Sequence, residues 1–201
     1  MTGVSTKKHT IAILFGYGPE VRAFLYSGLI DKLLEHWNVL VVASQPGSQA
    51  FTNLEDISVV PMPLTREPIV LRYLRVSSRR THAVWLSSQG KRQWHHYLSS
   101  SRQKSGLEGA IAKRVFKSKR GFELLLNIER AVGRICGTNR AWQKLFKDND
   151  VVCLLAASHA SPRTLPALQT AANLGIKSIV VLNSWKDVYT EPLVHVFPTR
   201  I

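Results

Sequence analysis

Apolar residues along this chain come in two rhythms. Residues 11–15, 39–43 and 151–157 are runs with no polar member. A strand apolar at every position is covered on both faces, the situation of a parallel sheet under helices. Residues 57–60 and 176–182 are weaker runs of the same kind, and Pro61-Met62-Pro63 stops the first of them. Between the runs, apolar residues return every three or four positions. Val21, Leu25, Leu29 and Leu33, with Phe24 and Leu34 beside them, form one stripe of a helix predicted from Pro19 to about His36. Leu165, Leu168, Ala172 and Leu174 form another, opened by Ser161-Pro162 and closed by Gly175.

Residues 66–147 follow neither rhythm cleanly. Val70, Leu71 and Leu74 among Arg72, Arg75, Arg79 and Arg80 predict a basic amphipathic helix. Ile111, Val115, Leu124, Leu125, Ile128, Val132 and Ile135 predict helix again, with Gly121 and Gly133 as weak points. Trp142, Leu145 and Phe146 suit one more helix. The order is strand–helix–strand–turn–strand, a basic helical excursion, then strand–helix–strand. It predicts an α/β fold: a Rossmann-like open, mostly parallel sheet with helices on both faces. We read one domain over 1–201, with a first βαβ part at 10–62, the excursion at 66–147 and a second part at 150–201.

Charge sharpens the picture of the excursion. The chain has 201 residues and a formal net charge of +14. Residues 66–147 hold 19 Lys/Arg against 4 Asp/Glu, a net of +15, whereas the remainder holds 8 against 9. Such a segment favours phosphate, anionic lipid or nucleic acid. Arg with Trp and Leu on an amphipathic helix suits an anionic membrane surface. Arg with Trp85, Trp94 and Tyr97 also suits nucleic acid, although no helix-turn-helix, zinc-finger or RNA-binding signature accompanies it. A plain solvated coat on helices is the third reading. Apolar content of 45% supports a packed core, and no stretch reaches membrane-spanning length. Cys136 and Cys153 have no metal-ligand or redox spacing, and Cys153 lies in an apolar run. A cytoplasmic protein, peripheral on the inner face of a membrane, fits these features.

In an open parallel sheet, ligands sit beyond the carboxyl ends of the strands. The loops there are 16–20, 44–48, 158–161 and 183–187. Gly16-Tyr17-Gly18 ends the first strand, but Val21 and Ser44-Gln45 depart from the dinucleotide fingerprint, and no P-loop lysine is present. No cofactor and no metal are therefore expected. The glycines either approach a ligand or only permit a tight turn. Arg22 either holds a phosphate or sugar or is a solvated helix charge. His159 follows a strand end, where a side chain of unperturbed pKa about 6.5 can act as a base on a hydroxyl. Asp187 lies on a loop predicted beside it. A loop histidine held by hydrogen bonds is the plainer reading. His95-His96 lack a third ligand at metal spacing. Ser184-Trp185 follows the last strand, where the indole either stacks on a sugar or caps the sheet.

The segment 11–43, with Gly16-Tyr17-Gly18 leading into Val21-Arg22-Ala23-Phe24-Leu25-Tyr26-Ser27-Gly28-Leu29, resembles the first βαβ of glycosyltransferases of two-domain GT-B architecture. The likeness extends to strand 151–157, the helix after Pro162, and Ile179-Val180-Val181-Leu182-Asn183-Ser184-Trp185. Some bacterial polysaccharide-type and glycerophosphotransferase-like members carry a Ser-Trp-Asp-Asn motif there. Ser184-Trp185 match it and Lys186-Asp187 do not. The resemblance covers about a third of the chain. It implies an amino-terminal domain that shapes the acceptor side of a cleft. A carboxyl-terminal domain would hold the nucleotide-sugar donor: either a second polypeptide supplies it, or the chain is a truncated or degenerate product, or it has become a binding module. It also implies a sugar or lipid-linked acceptor, bound near Gly16, Tyr17, Gly18, Arg22, Ser184, Trp185 and Asp187. His159 is the candidate base. The rival expectation is a non-catalytic α/β module that binds a polyanion through its basic middle.

Overall fold

The apolar runs become the strands of one sheet in a computed structural model, which describes residues 9–16, 21, 24–51, 57–88, 119–158, 161–182, 195–196 and 199. The strands are β1 (Thr10–Phe15), β2 (Asn38–Ala43), β3 (Ser58–Pro61), β4 (Val151–Ala156) and β5 (Lys177–Val180). All pairings are parallel, in the order β3-β2-β1-β4-β5. The predicted Rossmann-like α/β sheet is thus present. Ile13 sits opposite Val41 on one side and Leu155 on the other. The chain leaves β1 toward β3, then returns to β4 on the other flank of β1. That reversal places a topological switch point between the carboxyl ends of β1 and β4.

Alternation along the strands feeds two cores. Ile11, Ile13, Phe15, Val39, Val41, Ala43 and Leu155 face one side, packed with Val21, Phe24, Ile30 and Phe51. Ala12, Leu14, Leu40, Val42, Leu154 and Ala156 face the other. A register shift against Thr10 and Ile11 inserts Val152 as an extra residue in β4. It lets Val151 point to the same core as Leu154, while Cys153 joins the opposite one. Pro61 sits at the end of the edge strand β3, where a missing N–H costs no ladder bond.

On the first face, the predicted helix of residues 19–36 is interrupted. A turn at residues 26–28 precedes α1 (Leu29–Leu34), and Gly28 is left-handed with φ 72°. Ser27 holds the break: its hydroxyl donates to the Phe24 carbonyl and accepts from the Leu29 N–H. The apolar stripe survives because its members point inward on both sides of the turn.

Two helices from the later chain cover the second face. Asn139 caps α4 (Arg140–Asp148), its side-chain oxygen accepting from Ala141 and Trp142 N–H at 3.0 and 3.3 Å. Trp142 and Phe146, at 0% and 1% exposure, are the anchors. α5 (Leu165–Asn173) starts later than Ser161-Pro162 predicts. Ser161 instead caps a turn, and Pro166 takes the first-turn place. At its end the Ile176 N–H reaches Ala171 and the Gly175 N–H reaches Ala172, a Schellman closure with Gly175 at φ 72°. Asn139 N–H donates to the Thr170 hydroxyl, and Asn173 to that of Thr138, tying α4 to α5.

The chain divides into two compact units, one of residues 1–66 and 138–201, the other of 67–137. The basic excursion therefore splits: α4 belongs with the sheet, and the second unit is built on α2 (Ile69–Ser88) and α3 (Lys119–Cys136). α3 runs unbroken through Gly121 and Gly133. Between α2 and α3, His82, Trp85 and Phe122 stack with nearly parallel rings, His82 and Phe122 being 4.8 Å apart. Beyond them lies a buried charge cluster. Arg75 is bound to Glu67 and lies 3.5 Å from Glu129, with side-chain exposures of 6%, 17% and 1% respectively. Leu71, Leu125 and Leu126 are among the buried apolar residues of this unit.

Candidate functional site

The switch point is organised around a single carbonyl. β1 ends at Phe15, and the next oxygen, that of Gly16, accepts from the Ser44 hydroxyl at 3.0 Å and from Arg163 Nη1 at 3.1 Å. Ser44 follows β2, and its N–H pairs with the Phe15 carbonyl, so the β1–β2 ladder runs one step past the strand ends. Arg163 comes from the connection between β4 and α5. Three strand-end loops thus meet at the β1 terminus.

Local hydrogen bonding shapes the third loop. Thr164, fully buried, donates its hydroxyl toward the Ser158 and Ser161 carbonyls at 3.0 and 3.3 Å. Ser158 accepts from the Ser161 N–H, and Ser161 from the Arg163 N–H. These contacts draw Ser158, Ser161, Arg163 and Thr164 together. Arg163 is exposed to solvent, pointing its guanidinium at the neighbouring strand end. The guanidinium is always charged, so it places a fixed cation at the crevice mouth.

A small pocket of about 50 Å³ lies beside this point, lined by Phe15, Val21, Ala43, Ser44, Gln45, Ser48 and Phe51. That is room for one or two waters. A ligand larger than that would have to lie across the open edge rather than in this pocket. A larger hollow of about 600 Å³ occurs at the other end of the strands, among His9, Phe146, Lys147, Asp150, Val151, Val152, Leu174 and Ile176. It sits at the amino ends, away from the switch point, whereas ligands of open parallel sheets bind at the carboxyl edge.

Of the residues singled out from sequence, Gly16 is at this junction. Tyr17, Gly18, Arg22, His159, Ser184, Trp185 and Asp187 lie outside the described residues, as do Trp94, His95, His96 and Tyr97. Sequence reasoning placed the loop of Ser44 at the site but missed Arg163. Its signal was a base two positions after Ser161 in a strand-end loop. Among the described residues, no group of three or more His, Cys, Asp or Glu is placed to hold a metal ion. No helix among them is long and apolar enough to cross a membrane. No family model, curated protein or solved structure matches the chain.

Proposed function

We propose that the sheet unit is the acceptor-side domain of a glycosyltransferase-like protein that acts on a lipid-linked or cell-envelope polysaccharide acceptor. The observation that carries this reading is the convergence of Ser44 and Arg163 on the Gly16 carbonyl. It fixes the β1 turn, the β2 end and the β4–α5 loop as one floor at the switch point of an open parallel sheet. In sugar transfer, an acceptor hydroxyl attacks the anomeric carbon, loses its proton to a base, and the nucleotide phosphate departs with its charge. Arg163 supplies a cation for that phosphate. His159 takes the proton, and Asp187 orients it. Tyr17, Gly18, Arg22, Ser184 and Trp185 are assigned to acceptor binding by the resemblance alone. The nucleotide-sugar donor sits on a second Rossmann-like unit.

A transfer assay tests this reading. The chain is incubated with a panel of lipid-linked and free oligosaccharide acceptors and labelled nucleotide sugars, with and without a donor-binding domain. Transfer is expected only with that domain, and Arg163→Ala should abolish most of it while Arg163→Lys retains part. Rapid transfer by this chain alone, or indifference to Arg163, contradicts the proposal.

The second reading, a non-catalytic polyanion-binding module, is favoured by one observation. Residues 67–137 hold 15 Lys/Arg against 4 Asp/Glu, a net of +11 concentrated in one unit. Binding to generic RNA or duplex DNA with a steep salt dependence, and no acceptor binding, would select it.

A further inference from the structure

α3 carries two apolar stripes. Phe122, Leu125, Leu126 and Gly133, with Glu129, form the buried one. Leu124, Ile128 and Ile135 form the other, and they are 57%, 43% and 84% exposed. At 100° per residue these three fall within about 40° of one another, on the side opposite the buried stripe, and span about 16 Å along the helix. Exposed Ala131 fills the gap between Ile128 and Ile135. The periodicity that predicts a core helix is therefore spent half on the core and half on solvent. A lone exposed leucine needs no explanation; a stripe aligned along three turns does.

We infer that the outer stripe of α3 docks the protein on an anionic lipid bilayer, lying in the interface plane with Leu124, Ile128 and Ile135 inserted among the acyl chains. Charge selects this occupant. The unit carries a net of +11, from 15 Lys/Arg against 4 Asp/Glu, and exposed Arg120 and Arg134 lie near the two ends of the stripe. A second copy of the chain would bring the same net positive charge and its own Arg120 and Arg134 to the contact. A nucleic-acid backbone would satisfy the arginines and leave the isoleucines in water. A bilayer with anionic headgroups satisfies both, apolar side chains below and guanidinium groups at phosphate level. This inference does not rest on the sugar-transfer reading. Vesicle binding requires no turnover.

The test uses the full chain and vesicles of phosphatidylcholine with or without phosphatidylglycerol, measured by co-sedimentation. Binding is expected to the anionic vesicles, to weaken as salt rises, and to fall about tenfold or more in Ile128→Ser/Ile135→Ser. Both side chains are exposed, so the melting temperature of this variant should match wild type. A second readout avoids core risk altogether. Ala131 is exposed within the stripe, so a polarity-sensitive fluorophore on Ala131→Cys in a Cys136→Ser background should shift to the blue on anionic vesicles. Failure of the wild type to bind anionic vesicles overturns the inference. So does equal binding by the double variant, or a label that stays in water. If the wild type is instead a dimer that the double variant dissolves, or if RNA binding alone depends on the stripe, the occupant is not lipid and the inference fails.

Discussion

Replacing Arg75 should unfold the helical unit more readily than any surface change of equal size. Arg75 stands between Glu67 and Glu129, and its side chain and that of Glu129 are 6% and 1% exposed. Arg75→Met keeps the volume of the stem but leaves two carboxylates sharing a buried space. Breaking a buried pair from one side costs about 3–5 kcal/mol, because an uncompensated charge stays behind. Against a total stability of roughly 5–15 kcal/mol for a folded domain, that is enough to populate open states of this unit. Glu67→Gln should behave differently. It leaves Arg75 and Glu129 as a balanced pair. Burial holds the Glu67 carboxyl above its ordinary value of 4.5, outweighing the pull of Arg75. Folded Glu67 thus binds its proton more tightly than unfolded Glu67. Its contribution is fully present below pH 4.5 and fades as the pH rises through the raised folded value. The stability of wild type minus that of Glu67→Gln should therefore fall as the pH rises from 4.5 through the raised folded value. Urea denaturation followed by circular dichroism at several pH values, with hydrogen exchange of α2 and α3 amides, measures both effects. A loss below about 1 kcal/mol in Arg75→Met at pH 7, or a wild-type advantage that grows with pH, would refute the reasoning.

Other outcomes follow from the sheet unit. Trp142→Ala should cost about 3–5 kcal/mol by thermal or chemical denaturation, since the side chain is fully buried against Phe146. Trp142→Phe should cost clearly less, because the buried indole N–H it removes has no hydrogen-bond partner among the described residues. Gly175→Ala should cost about 1 kcal/mol through backbone strain alone, as a Cβ there meets nothing within 4 Å but φ is 72°. In timed alkylation of the native protein, Cys136 should react first. Cys153 is half-buried and burial pushes its thiol up, so it should react only as the sheet opens.

Much of the sheet was readable because a doubly covered strand leaves an unbroken apolar run. β1, β2 and β4 follow from that alone, and Gly175 ends α5 where the helical stripe stops. The misreadings have a common cause. Val21, Leu25, Leu29 and Leu33 keep helical spacing across a break that Gly28 creates, and spacing does not register a single left-handed residue. Arg75 was one of several arginines on a basic amphipathic helix, and Ile128 one member of a helical pattern. Only the packing of α2 on α3 decides which charge is buried and which apolar face is left outside. Arg163 was missed because its partner, Gly16, is 147 residues away, and no local pattern announces a contact at that range.

The central claim is that ligand chemistry occurs where Gly16, Ser44 and Arg163 meet. Backbone amide and arginine side-chain NMR during titration with oligosaccharide acceptors tests it most directly. The account predicts saturable shifts at Gly16, Ser44 and the Arg163 guanidinium, weakened in Ser44→Ala and lost in Arg163→Ala. Shifts confined to residues 67–137, or clustered around His9, Lys147 and Asp150 at the opposite end of the strands, would contradict it.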